Sequence, residues 1–236
     1  MNLLFKLRES GPGEALCNLF RALIPPVVVW RRVWGKKVFL SLRDCLFYLA
    51  MSRRELENLE GPVLDVLKRT KGHVWDVGCN VGLFSIYCAS QGRPVTSFDI
   101  SEECIGLLER SATYNNLNIQ TVPTALSIEP FEYTPPASAH ATNSIHSKES
   151  GPVKKSMQFD EAVEQFGLPR LIKMDIEGAE LEFFRSSVFK KWIVINRITL
   201  LVEIHSEEIR RAVWDDVPVE QLDERHVLIS FDEGSE

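Results

Sequence analysis

Two acidic residues and two glycines have the spacing of a nucleoside-binding site. Asp76 ends an apolar run, Gly78 and Gly82 follow, and a helical pattern begins at once. Glycine has no Cβ, so it permits a sharp turn and lets a ligand approach the main chain closely. A dinucleotide site would have Gly-x-Gly-x-x-Gly here, with the pyrophosphate at the helix N-terminus. The observed spacing is Asp-x-Gly-x-x-x-Gly, and the Asp76 carboxylate would repel a phosphate.

The charge at this turn favours a nucleoside with a cationic end. Asp99 ends the next apolar run, 23 positions after Asp76, which is close to the offset of about 20 residues at which an acid meets ribose hydroxyls. S-adenosylmethionine (SAM) has ribose hydroxyls and an ammonium group but no phosphate, so we expect SAM as the cofactor. A turn cap is the structural alternative for both carboxylates.

A second acidic run narrows the expectation to one family. Residues 172–180 read Ile-Lys-Met-Asp-Ile-Glu-Gly-Ala-Glu, and a later apolar run ends near Glu203. Together with the turn at 74–85, these stretches resemble the FkbM family of SAM-dependent methyltransferases. That family's motifs read approximately D-V-G-A-N-x-G and I-K-x-D-x-E-G-A-E, followed by a strand that ends in an acid. The resemblance covers roughly residues 74–205.

The resemblance implies a Rossmann-like α/β fold of the class I methyltransferases, with a mostly parallel central sheet and helices on both faces. It also implies methyl transfer to oxygen, with a saccharide or another hydroxylated small metabolite as acceptor. The family often has Glu-Pro where this chain has Asp99-Ile100, and Cys79 replaces the usual alanine. We expect cofactor binding to persist and Cys79 to be structural. The expected cofactor-binding residues are Asp76, Gly78, Asn80, Gly82, Phe84, Asp99, Ile100, Ala125 and Asp175.

Four residues are candidates for the base that removes the acceptor's proton, because methylation of a hydroxyl requires proton removal. They are Asp175, Glu177, Glu203 and His205. Strand alternation places Glu203 and His205 on the same side of their strand. The same set is compatible with a divalent metal, or with a structural role in which Lys173 pairs with one carboxylate. We expect the acid–base role and assign no metal ligand.

The amino-acid composition limits which other classes of function are compatible with this chain. The 236 residues, of which 44% are hydrophobic and 25% charged, suit a soluble globular domain. The net charge of −6 disfavours nonspecific electrostatic binding to nucleic acid. We therefore expect no nucleic-acid partner. Five scattered cysteines without a Cys-x-x-Cys pair disfavour zinc or a disulfide framework. We expect a cytoplasmic protein without a signal peptide or membrane span, and its oligomeric state is not readable from the sequence.

The apolar pattern predicts alternating strands and helices from residue 73 onward. Such alternation implies a parallel sheet, and ligands on parallel sheets bind at the carboxyl ends of the strands. Asp76, Asp99 and Asp175 lie at such ends. One apolar run follows residue 214, so we expect a sheet shortened at its C-terminal edge. The predicted strands are 73–77, 95–99, about 119–125, 171–174, 197–205 and 226–231, and the predicted helices are 82–90, 101–114, 159–166, 179–184 and 206–214.

Residues 1–54 are predicted to form an N-terminal helical and basic-aromatic extension, with the methyltransferase domain at 55–236. Residues 16–24 have helical spacing, and tryptophans alternate with basic residues over 30–37. This patch suits a flap packed on the domain, a membrane-surface contact or a partner-binding segment. Residues 38–50 fit a strand or a helix, and 55–68 fit one helix or two. Residues 134–152 are predicted to be a long loop, either functional or disordered.

Two other functions remain open at this point. A nucleotide-dependent oxidoreductase is disfavoured by the missing third glycine and by the carboxylate of Asp76. A non-catalytic interaction module with the same fold is compatible with the basic-aromatic segment and with a shortened sheet.

Overall fold

A seven-stranded sheet and the helices around it form the centre of the fold. The computed structural model describes residues 27–58, 61–136 and 152–231. The strands found there are Val28–Val33 (β1), Lys36–Ser41 (β2), Val74–Val77 (β3), Val95–Phe98 (β4), Gln120–Val122 (β5), Leu126–Ser127 (β6), Glu132–Tyr133 (β7), Lys154–Lys155 (β8), Met157–Gln158 (β9), Leu171–Met174 (β10), Thr199–Glu203 (β11), Val219–Gln221 (β12) and His226–Ile229 (β13). The helices found there are Leu46–Ala50 (α1), Arg53–Glu57 (α2), Gly61–Arg69 (α3), Leu83–Ser90 (α4), Glu102–Tyr114 (α5), Phe159–Phe166 (α6), Glu180–Arg185 (α7), Ser187–Ile195 (α8) and Glu207–Ala212 (α9).

The central sheet is parallel except at one edge. Its strand order is β12-β13-β11-β10-β3-β4-β5. The pairs from β11 to β5 are parallel, whereas β13 pairs antiparallel with both β11 and β12. The carboxyl ends of β3, β4, β10 and β11 therefore meet along one edge of the sheet. This arrangement confirms the predicted Rossmann-like α/β fold with a mostly parallel sheet.

The expectation of a shortened C-terminal edge is wrong. Strand β12 completes the sheet, and all three of its residues are exposed. An edge strand of this kind carries no run of apolar residues, so the hydrophobic pattern did not reveal it.

The core lies on both faces of the sheet, as the continuous apolar runs of parallel strands require. Trp75 and Phe98 pack on one face, while Val74 packs with α3 and α4 on the other. Trp75 is edge-to-face with Phe98 at 5.3 Å and with Phe159 at 5.5 Å between ring centroids. Such ring pairs each contribute about 0.5–1.5 kcal/mol beyond their buried area. This packing fixes the strand ends that carry the predicted site.

The N-terminal extension contains a β-hairpin at residues 28–41, which agrees with the strand alternative for the start of residues 38–50. The backbone turns at Trp34 and Gly35, which have φ values of 46° and 77°. Two residues with positive φ form the turn that best matches the twist of paired strands. The hairpin packs on α5, where the Phe39 amide donates to the Ser111 hydroxyl at 2.9 Å. Residues 16–24 lie outside the described residues, and the boundary at residue 54 stays a prediction.

The helices resolve one of the open alternatives. Residues 55–68 divide between α2 and α3, which agrees with the two-helix alternative. Ser101 precedes α5, and its side chain accepts a hydrogen bond from the Cys104 amide, as expected of an N-cap. Residues 137–151 of the predicted loop lie outside the described residues. Within the described ranges, the helices are all too short or too polar to cross a bilayer.

Candidate functional site

A cleft of about 740 Å³ opens at the carboxyl ends of β3, β4 and β10. This volume includes the solvent-filled space at the mouth of the cleft. Seven residues expected from the sequence line it, namely Gly78, Asn80, Asp99, Ile100, Ala125, Asp175 and Glu177. The other expected residues are not among its lining, namely Asp76, Gly82, Phe84, Glu203 and His205.

Asp99 presents a carboxylate to the cleft. Its Oδ2 accepts from the Asn80 amide at 2.7 Å, and its Oδ1 accepts from the Ser101 amide at 2.8 Å. Burial raises the pKa of Asp99 to about 6, and the two backbone amides oppose this shift. Because a carboxylate has about four acceptor sites, Asp99 can still accept hydrogen bonds from a ligand's hydroxyls.

Asp76 lies beneath the cleft in the core, with 1% of its surface exposed. The Ser85 hydroxyl of α4 donates to its Oδ2, and Lys173 Nζ lies 4.0 Å from its Oδ1. Burial raises the pKa of Asp76, although Lys173 and Ser85 oppose the shift. Asp76 is not among the residues that line the cleft, and its expected contact with the cofactor stays a prediction. Asp76 shares the positive charge of Lys173 with the cleft residue Asp175, which Lys173 contacts at 3.1 Å.

The two glycines of the turn make room for protein atoms. Gly78 has a φ of 77°, and a Cβ there would lie 1.8 Å from the Asp175 carbonyl oxygen. Gly82 has a φ of 76°, and a Cβ there would lie 2.3 Å from Leu108 Cδ1. The sequence predicts that both glycines admit a ligand, and Gly78 does line the cleft. The absence of a Cβ also lets Gly78 approach the end of β10 and lets Gly82 approach helix α5.

Phe84 lies on α4 outside the cleft. Its ring is 5.3 Å from Lys173 Nζ, a cation–π distance. Phe84 therefore borders the buried lysine and does not reach the place where a cofactor would lie.

The four predicted catalytic residues come together around His205. Its Nε2 lies 3.4 Å from Asp175 Oδ1, 3.6 Å from Glu177 Oε2 and 3.7 Å from Glu203 Oε1. Its Nδ1 lies 3.1 Å from Glu180 Oε1. His205 is 17% exposed, and Asp175 and Glu177 connect it to the cleft because both line that cleft.

The charges in this cluster push the pKa values of its members apart. Burial raises the pKa of Asp175, but Lys173 and His205 outweigh it, so the pKa lies below its usual value. Burial lowers the pKa of His205, but Glu180, Asp175 and Glu177 outweigh it, so the pKa lies above its usual value. Oppositely shifted groups of this kind are typical of acid–base sites.

A divalent metal fits the cluster in distance and is disfavoured by charge. Ligand atoms of Asp175, Glu203 and His205 all lie within 4.8 Å of one another. However, Lys173 contacts Asp175, and Arg225 contacts Glu203, which is 3% exposed. Two of the three groups thus already have cationic partners. We therefore retain the acid–base assignment without metal ligands.

Several site residues were not predicted from the sequence. Glu180 is one of them, because its contact with His205 joins a helix start to a strand end that is distant in sequence. Glu182 lines the cleft, and its Oε1 accepts from the amides of Ile128 and Glu129, each at 3.0 Å. The apolar lining includes Phe98 and Phe131. Such residues look like ordinary core positions in a sequence, so no local pattern distinguishes them.

The cysteines near the cleft are structural. Cys79 and Cys104 are buried, and burial raises the pKa of both thiols well above the usual value. A thiol in this state is a poor nucleophile. The predicted structural role of Cys79 is consistent with this environment.

Comparison with known proteins identifies the family. The Methyltransferase FkbM domain matches residues 25–226, and no curated protein sequence matches the chain. Among solved structures, the chain is similar to the T. thermophilus 16S rRNA N2 G1207 methyltransferase in complex with AdoMet and guanosine (TM-score 0.50, 12% identity, 88% of this chain and 50% of that chain). It is also similar to the M. jannaschii tRNA m1G37 methyltransferase (TM-score 0.49, 13% identity, 90% and 59%).

A further similar structure is the Pyrococcus abyssi tRNA (uracil-54, C5)-methyltransferase in complex with S-adenosyl-L-homocysteine (TM-score 0.49, 13% identity, 86% of this chain and 43% of that chain). The chain spans about half the length of these solved structures. Identities this low relate the folds and do not transfer substrates. The family match covers most of the chain and spans the residues of the cleft and of the cluster around His205. The chain belongs to the FkbM family of methyltransferases, and its cofactor is S-adenosyl-L-methionine.

Proposed function

We propose that the protein transfers a methyl group from SAM to a hydroxyl oxygen of a saccharide or another small hydroxylated metabolite. The observation that carries this proposal is the contact of His205 with two carboxylates of the cleft, Asp175 and Glu177. A histidine beside the cofactor cleft supplies the base that methylation of a hydroxyl needs.

The residues that line the cleft suit the chemistry of the cofactor. Asp99 is suited to accept hydrogen bonds from ribose hydroxyls, since its carboxylate faces the cleft and keeps acceptor capacity. Ile100 and Ala125 are suited to contact the base, and Gly78 and Asn80 to contact the amino-acid portion. SAM, when bound, supplies an electrophilic methyl group.

Among the four candidates, His205 is the best suited to act as the base. Asp175 has a lowered pKa because of Lys173 and His205, so its carboxylate is a weak base. Glu203 is buried against Arg225. The pKa of His205 lies above its usual value because of Glu180, Asp175 and Glu177, so its imidazole is the stronger base. The carboxylates that surround it stabilise the imidazolium formed when the acceptor's hydroxyl proton reaches Nε2.

The charge of the cleft favours a neutral, hydroxylated acceptor. Asp99, Asp175, Glu177 and Glu182 all line it. Carboxylates accept hydrogen bonds from hydroxyl groups and repel phosphodiesters, and the chain has a net charge of −6. These features support a small metabolite over the RNA acceptors that are named for the similar solved structures.

Isotope labelling tests the activity and the acceptor together. Extracts of the native host, incubated with the protein and methyl-labelled SAM, are expected to yield a labelled small molecule whose fragments place the label on oxygen by mass spectrometry. His205→Ala should lower the turnover rate by about 10²–10⁴-fold, the usual contribution of a general base, while calorimetry shows unchanged SAM affinity. Wild-type turnover should rise with pH as His205 loses its proton.

Two outcomes would contradict the proposal. Label found on RNA, or on nitrogen or carbon, would exclude the proposed acceptor. Wild-type turnover by the His205→Ala variant would exclude the proposed base. Incubation of the same extract without the protein is the control for methyltransferases of the host.

A further inference from the structure

Glu180 is a fully buried carboxylate that lies behind the proposed base. It is the first residue of α7, and its exposed fraction is 0%. Its Oε1 lies 3.1 Å from His205 Nδ1. Within residues 27–58, 61–136 and 152–231, His205 is the basic side chain that forms an ion pair with it. A carboxylate removed from water requires a partner of this kind.

The same carboxylate holds the turn that carries Asp175 and Glu177. Glu180 Oε1 accepts from the Ile176 amide at 2.7 Å, and its Oε2 accepts from the Gly178 amide at 2.8 Å. Glu177 has a φ of 53°, which non-glycine residues adopt infrequently. The two hydrogen bonds compensate for this unfavourable conformation. Glu180 therefore connects the end of β10 with the residue that follows β11.

The carboxylates around His205 bear on which nitrogen carries the hydrogen of the neutral ring. A neutral imidazole carries its hydrogen on one nitrogen and a lone pair on the other. Glu180 Oε1 is the nearest carboxylate oxygen, 3.1 Å from Nδ1, although the pair is not aligned as a hydrogen bond. The three carboxylates beside Nε2 lie farther away, at 3.4, 3.6 and 3.7 Å, so the nearer carboxylate favours the hydrogen on Nδ1. The lone pair is then on Nε2, which is the nitrogen closest to Asp175, Glu177 and Glu203.

A role as a helix cap alone does not account for these contacts. Glu55 and Glu161 accept backbone amides at the starts of α2 and α6, and both side chains are exposed. Capping a helix thus requires no burial in this protein. Glu180 is buried at the one helix start that contacts His205.

We propose that Glu180 is a positioning residue that holds His205 in the Nδ1–H tautomer, with Nε2 directed towards the Asp175–Glu177 end of the cleft. This inference rests on the proposed function of His205 as the base. It assigns to Glu180 two linked tasks, which are the orientation of the imidazole and the support of the turn at 175–178.

The experiment begins with the protein itself, so it does not depend on the identity of the acceptor. In protein labelled with ¹⁵N-histidine, the His205 resonances assigned by loss in His205→Ala should show hydrogen on Nδ1 and a free Nε2 at alkaline pH. In Glu180→Gln this preference should weaken, and the titration midpoint of His205 should fall. Glu161→Gln is the matched control, since it removes a helix-start carboxylate that lies far from His205, and it should change neither result.

Turnover separates positioning from a general structural effect. The rate of S-adenosylhomocysteine release, measured with labelled SAM and a metabolite extract of the host, should fall by roughly 10- to 100-fold in Glu180→Gln, as for other partners that orient a functional histidine. Glu180→Asp keeps the charge and should recover part of the rate. Added to His205→Ala, the Glu180→Gln substitution should change the rate by less than about twofold, because residues that act as a unit are not additive.

Each contrary result has its own meaning. An Nε2–H tautomer in the wild type, or an equal loss of rate when Glu180→Gln is added to His205→Ala, overturns the role of Glu180. Full activity of His205→Ala overturns the proposed function, and the tautomer measurement still decides what Glu180 does to the imidazole. If Glu180→Gln fails to fold, two other measurements test the role of Glu180. They are the tautomer of His205 in the wild type and the turnover rate of Glu180→Asp.

Discussion

The carboxylate of Asp99 lies between two backbone amides and the cofactor cleft. Burial raises its pKa to about 6, so the carboxyl group takes up a proton within an accessible pH range. The protonated form is a weaker acceptor for ribose hydroxyls. SAM affinity should therefore be constant above about pH 7 and should fall below pH 6, approaching a tenfold loss per pH unit.

Calorimetry at pH 7.5 and pH 5 measures this effect. Asp99→Asn is the control, since its side chain does not titrate in this range, and its weaker affinity should vary little with pH. Equal wild-type affinity at the two pH values would show that Asp99 does not bind the ligand in its ionised form.

The amino-acid type of a residue predicts its place in the site well for some acidic residues and poorly for others. Asp99 and Asp175 were predicted for the site because an acid directly after a buried strand reaches the sheet edge, and both line the cleft. Asp76 has the same residue type but lies within β3, one residue before its end, so it faces the core. Glu180 was not predicted as a site residue because its partner, His205, is 25 positions away in sequence.

The turn after β3 and the turn after β10 are in direct contact at Gly78. A Cβ at Gly78 would lie 1.8 Å from the Asp175 carbonyl oxygen, whereas Gly92, with nearly the same φ, has nothing within 4 Å of its Cβ position. The Gly92→Ala variant should lose about 1–2 kcal/mol, the usual cost of a left-handed alanine. The Gly78→Ala variant should lose clearly more, about 4 kcal/mol or above.

Urea unfolding of both variants gives the comparison. Since φ is nearly matched, the difference in the free energy of unfolding isolates the steric contact between the two turns. Similar losses in the two variants would mean that Asp175 moves away at little cost. SAM affinity of folded Gly78→Ala should also decrease, because Asp175 lines the cleft.

Secondary-structure elements were predictable where both faces of a strand are buried. Strands β3 and β10 lie within one residue of their predicted bounds because every residue in them is buried and each run is apolar apart from one charged residue. Strand β12 is exposed and therefore gave no signal. The hairpin β1–β2 was ambiguous because its outer positions include exposed Val28 and Trp30, so the alternation of apolar and polar residues is weak.

Cofactor binding should stabilise the molecule as a whole. A ligand that binds only the folded state adds about 2.7 kcal/mol at 100 times its Kd. For a chain of 236 residues, this corresponds to an increase in Tm of roughly 5–10 °C, given about 2–4 °C per kcal/mol. Thermal unfolding with SAM should show this increase, and NAD should cause none.

The same measurement addresses the oxidoreductase alternative. Stabilisation by NAD in place of SAM would contradict the assigned cofactor. The Asp99→Ala variant supplies the internal control, since weaker ribose recognition should reduce the shift at the same SAM concentration.

Arg225, which directly precedes the antiparallel strand β13, contacts the buried carboxylate of Glu203 in the cluster around His205. The residues lining the cleft lie between Val77 and Glu182, so all of them are more than 40 positions before Arg225. The cleft and the cationic neighbour of Glu203 therefore come from separate stretches of the polypeptide, and the second is translated later.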